Sequence, residues 1–119
     1  MQKLIDANVV LRYLLNDDAE KFVVAKQTIE DGAYTLPILF AEVVYVLLKL
    51  YKVNKETISN KLIRLLDIID MEDKNVYISA LTIFKTKSLD FADCVIIAYN
   101  RIKNSQVLTF DTKLSKKLK

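Results

Sequence analysis

Five acidic side chains stand where chemistry would need them: Asp6, Glu42, Asp90, Asp93 and Asp111. Asp90 and Asp93 lie three residues apart in S-L-D-F-A-D-C-V-I-I-A-Y (residues 88–99), where an apolar helix begins. Residues at that spacing share one helix face. Capping accounts for such a pair, with Asp90 as N-cap and Asp93 in the positive first turn. The other account is a carboxylate cluster. Asp6 ends a short apolar run, Glu42 is the lone acid of a strongly apolar helix, and Asp111 ends a second run, Q-V-L-T-F. Gathered together, these acids would repel by about 4 kcal/mol per pair at 4 Å and an effective dielectric of 20. A proton or a hard cation must then offset the charge, and Mg²⁺ or Mn²⁺ suits carboxylate oxygens. A metal-held water can attack phosphorus, so the chemistry on offer is phosphodiester hydrolysis.

Absent residue types narrow the alternatives. With no His and one Cys in 119 residues, neither a Ser-His-Asp or Cys-His nucleophile nor a zinc finger can be built. One Gly cannot supply a phosphate-binding loop of either common pattern. Cys94 excludes an internal disulfide and fits a reducing compartment. No apolar run nears the roughly 20 residues of a membrane span, and no signal-like region is present, so a cytoplasmic protein is the expectation.

The elements that must position the acids follow from the pattern. Apolar residues are 52% of the chain and one Gly and one Pro punctuate it, which describes a single, regular globular domain. Lys3–Ile5, 33–36 and 106–110 read as strands. Helices are expected over 9–15, from Asp17 or Asp18 to Asp31, over 38–51, after Asn54, after Asp73, over 88–104 and around Leu114 and Leu118. Gly32 and Asn104 read as stops and Pro37 as a helix start. Strands alternating with helices predict a parallel sheet covered on both faces, whose strand ends share one edge. Asp6 and Asp111 would end strands there, and Asp93 and Glu42 would open helices. Asp6 could instead only cap its helix, and Glu42 could lie on a solvated stripe with Lys49; the acids at 67, 70, 72 and 73 read as turn and cap residues.

Four segments in order resemble the PIN-domain ribonucleases, most closely VapC-like toxins of toxin–antitoxin pairs. L-I-D-A-N-V-V-L-R-Y-L-L resembles the family's opening strand and helix and matches Asp6 to its first acid, with Asn8 accessory. A-E-V-V-Y-V-L matches Glu42, and L-D-F-A-D-C-V-I-I-A matches Asp93 with Asp90 as an accessory neighbour. L-T-F-D matches Asp111 with Thr109 as a polar helper. The resemblance implies a three-layer α/β/α domain with a central parallel sheet and Mg²⁺- or Mn²⁺-dependent endoribonuclease activity. It also implies a homodimer and a small antitoxin partner. Asp6, Asp93 and Asp111 would hold the metal, with Glu42 orienting or deprotonating the attacking water. Ala7 departs from the family's usual Thr or Ser, a hydroxyl that would steady the metal shell.

Net charge is +3, but without the five acids eighteen basic side chains face ten acidic ones, a net of +8. Lys85/Lys87, Arg101/Lys103 and Lys113/Lys116/Lys117/Lys119 could meet RNA phosphates, or serve only as a solvated surface. Tyr13, Tyr45, Tyr51 and Phe91 could stack on bases, though their helical spacing suits packing or a dimer face. Arg12, in an apolar helix, is a salt-bridge or substrate group. Two other classes remain: a catalytically weakened PIN-like RNA-binding module, motivated by Ala7, and a phosphoryl-accepting α/β protein. The last is disfavoured because the first turn reads D-A-N rather than D-x-D.

Overall fold

The computed structural model describes residues 1–119. Strand β1 (Lys3–Leu4) leads into α1 (Ala7–Leu15), then α2 (Ala19–Asp31), β2 (Ala33–Tyr34) and α3 (Pro37–Lys49). Four helices follow: α4 (Lys55–Leu66), α5 (Lys74–Thr86), α6 (Phe91–Lys103) and the single turn α7 (Thr112–Ser115). The two strands pair in parallel, Lys3 with Ala33 and Leu4 with Tyr34, and Asp70 adds one bridge to Tyr34.

Local chemistry sets most boundaries. The carboxylates of Asp6 and Asp18 and the amide oxygen of Asn54 accept from the N–H groups of Val9, Lys21 and Thr57, so each caps a helix start. Asp17 leaves the second cap to Asp18 and instead pairs with Arg12 at 3.3 Å. Pro37 opens α3, where its missing N–H is no loss. Gly32 at φ +112° ends α2, a backbone angle that L side chains rarely adopt. Asn104 closes α6 in the left-handed region.

One core joins all these elements. Phe40 of α3, Tyr77 and Phe84 of α5 and Phe91 of α6 form an aromatic cluster, with Phe84 edge-on to Phe91 at 5.5 Å. Ile58, Leu62, Leu65 and Leu66 pack beneath it, all buried. Emptying such a position, as in Phe84→Ala, costs about 3–5 kcal/mol. Helix α3 is less enclosed than its composition suggests: Phe40, Val43, Val44 and Leu47 are buried, whereas Ile38, Tyr45 and Leu50 face solvent.

The expected third strand does not form. Residues 106–110 make no backbone–backbone hydrogen bond. Their period-2 pattern is present: Val107 and Thr109 are half-buried, while Leu108 and Phe110 are 86% and 95% exposed. A strand is completed by its neighbour, and none lies beside this one. The structure therefore has α/β character and parallel pairing of two short strands. No helix is long and apolar enough to cross a membrane.

Candidate functional site

The N-terminal end of α6 is the acidic corner. Asp90 precedes the helix, and its Oδ1 accepts the Asp93 N–H at 2.8 Å, which is the capping geometry. Asp93 sits in the first turn, half-buried. Its carboxyl is pushed up from the ordinary range, chiefly by burial and then by the charges of Asp90 and Asp111. The helix N-terminus favours the ionised form, but the two like charges and burial outweigh it. Lys113 opposes them.

Asp111 reaches this corner from the far end of the chain. It caps α7 through the Leu114 N–H at 3.0 Å, and Thr109 Oγ1 accepts the Asp111 N–H at 3.0 Å, a short local turn. The approach to α6 is stapled by two ammonium groups. Lys113 Nζ donates to the Ser88 carbonyl at 2.9 Å, and Lys55 Nζ donates to the Leu89 and Lys87 carbonyls at 2.7 and 3.2 Å. Three successive carbonyls before Asp90 are thereby fixed. The Lys55 role is invisible in sequence, because its partners lie more than thirty residues away; Lys113 stood out only as one of several basic residues.

Asp6 and Glu42 lie elsewhere. Asp6 caps α1 and lines an open groove of about 540 Å³ with Leu4, Asn8, Arg12 and Val24. Neither Asp6 nor Glu42 is among the charges acting on Asp93. Glu42 is exposed, so the solvated stripe is the arrangement found. No three Asp, Glu or Cys side chains stand close enough to hold one metal ion, so the expected set of Asp6, Glu42, Asp93 and Asp111 does not form a metal site as arranged here. Ala7 is buried.

The remaining candidates have structural roles. Arg12 bonds the Tyr51 hydroxyl at 3.2 Å as well as Asp17, and the Tyr51 bond chiefly holds its guanidinium in the charged form. Tyr13 stacks on Phe22 and Phe91 is in the core, so neither ring is open to a base. Cys94 is buried, and burial pushes its thiol up to about 11, out of reach as a nucleophile. Asp73, expected as a cap, makes no capping bond; Tyr99 donates to it at 2.7 Å and Lys103 pairs with it at 3.3 Å.

Fold and acids alone do not name a class of protein, but comparison with family models does. The PIN domain model matches residues 3–118, and the chain belongs to the PIN domain family. PIN domains are α/β proteins, typically metal-dependent nucleases. Comparison with curated proteins gives no match.

Proposed function

We propose that this chain is a divalent-metal-dependent endoribonuclease and the toxin of a VapC-like toxin–antitoxin pair. The observation that carries the reading is the crowding of Asp93 against Asp90 and Asp111 at the start of α6, in a chain of a family of nucleases. Acids held together against their own repulsion are costly for folding and useful for cation chemistry. Asp6, Glu42, Asp93 and Asp111 are the proposed catalytic and metal-holding set for Mg²⁺ or Mn²⁺, with Asp90, Thr109 and Asn8 accessory. As arranged here they do not fit an ion. Lys113, beside the corner, is the basic group proposed to meet an RNA phosphate. A homodimer, a small antitoxin protein, a three-layer α/β/α arrangement and a cytoplasmic location belong to the same proposal.

The lack of a three-acid metal group, together with Ala7, favours one second reading: a weakened PIN module that binds RNA without cutting it. Incubation with structured and single-stranded RNA, in Mg²⁺, Mn²⁺ or chelator, decides between them. Metal-dependent internal cleavage that chelator abolishes is the expected result. Tight RNA binding with no cleavage in either metal would establish the second reading.

A further inference from the structure

Helix α4 begins at Lys55, which reaches the acidic corner, and ends beside a second charged place. Lys61 and Arg64, one turn apart on the same helix face, line a hollow of about 360 Å³ together with Lys26 of α2. All three are exposed, and every charged residue around this hollow is basic. Lys61 and Arg64 enter no ion pair. Lys26 reaches Glu30 at 3.9 Å, but both side chains are more than half exposed, so water screens that tie. Arg64 in the last turn of α4 suits the helix dipole, which does not account for Lys61 or Lys26 beside it. Like charges one turn apart repel, and the chain offers them no acid. The floor is apolar: Tyr13 and Phe22 lie nearly parallel at 5.9 Å, with Ile68 alongside. A second hollow shares Tyr13, Lys26 and Ile68 and adds Glu30 as its one acid, so the two run together as a cleft. The ring faces are taken up with each other, which leaves recognition to the cations.

We propose that this cleft is a phosphate-binding exosite that holds the backbone of single-stranded RNA apart from the acidic corner. Arginine presents a fork of donors to phosphate oxygens and lysine a mobile point charge, and contacts of that kind position a strand without reading its bases. Arg64 is nine residues from Lys55, about 13.5 Å along the helix and about two and a half turns round it. The two places therefore lie on opposite faces of α4, and the cleft acts on binding rather than on the chemical step. The choice of RNA as occupant rests on the nuclease reading; the unpaired cations do not.

Binding of a short labelled single-stranded RNA to the full chain, in chelator and across a range of salt, tests this alongside cleavage in Mg²⁺ or Mn²⁺. Lys61→Gln/Arg64→Gln removes two cations from the cleft, and Lys49→Gln/Lys52→Gln removes two exposed ones outside it. All four are surface changes expected to leave melting near wild type. The first variant is expected to lower the slope of log affinity against log salt by about 1.4 and to weaken binding about 25-fold at about 0.1 M salt. The second should change both far less. In the cleavage assay the first variant's loss is expected in KM, with kcat unchanged. Equal losses in the two variants, or a slope that the first leaves untouched, overturn the exosite, and cleavage that persists then leaves the nuclease reading standing. The expected slope change with no cleavage in either metal keeps the exosite and removes the nuclease reading. AMP that binds as tightly as the RNA assigns the cleft to a free nucleotide. A Glu-rich peptide whose binding the first variant abolishes, while RNA binding persists, assigns it to a protein partner; either result goes against this proposal.

Discussion

The two ends of α6 each hold a carboxylate among polar neighbours, and the neighbours treat them in opposite ways. At the C-terminal end, Asp73 accepts from Tyr99 and pairs with Lys103, and the Tyr99 bond first of all holds its carboxyl below the ordinary range. Every nearby group favours the charge. At the N-terminal end, burial and then the charges of Asp90 and Asp111 hold the Asp93 carboxyl above it, against the pull of Lys113 and of the helix N-terminus. One acid fastens α5 to α6. The other is kept at a cost to the fold, and groups kept at such a cost are characteristic of working sites.

The sharpest break between the ends is catalytic. Asp93→Asn is expected to reduce RNA cleavage about a hundredfold or more, whereas Asp73→Asn, at the other end, should leave the rate near wild type. Equal losses in both would erase the distinction. Stability should move the other way: at neutral pH, Asp93→Asn is expected to raise the melting temperature by about 2–4 °C, read by calorimetry, and Asp73→Asn to lower it.

Melting against pH separates the two acids by sign. Asp73 titrates lower when folded than when unfolded. Its contribution is complete above the unfolded value of about 3.9 and is lost as pH falls through the folded one. Asp93 titrates higher when folded, so its protonated form is favoured, and stability drains as pH rises from about 3.9 through the raised value. Asp73→Asn should therefore flatten the acid decline, while Asp93→Asn should lift the neutral plateau. Tyr99→Phe tests the clasp alone, with an expected loss of about 4 °C and unchanged cleavage. The smallest effect is expected from Lys113→Met: with the one opposing charge gone, Asp93 titrates higher still, and the acid limb of the pH–rate profile moves to higher pH.

What could be read in advance was local. Asp18, Asn54, Pro37, Gly32, Asn104 and the Asp90–Asp93 pair act within a few residues of themselves, and each lies where its own chemistry sends it. What could not be read depends on distant partners. Asp73 was expected as a cap because Tyr99 and Lys103 are far along the chain. Residues 106–110 have the alternation of a strand but acquire no neighbour, and no three acids gather closely enough to hold an ion. Glu42 sits in an apolar helix, yet which face of α3 is buried is decided by α1, α4 and α6. Within the site, the α6 corner was legible; the positions of Asp6 and Glu42 relative to it were not.

Thermal melting of wild type, Asp93→Asn and Asp73→Asn in Mn²⁺ and in chelator bears most directly on the acidic end of α6. A cation bound only by the folded state adds about 2.7 kcal/mol at a hundredfold excess over its Kd. The expected result is a metal-dependent rise in the wild type and in Asp73→Asn that disappears in Asp93→Asn. No rise in the wild type, or an equal rise in Asp93→Asn, would contradict the assignment.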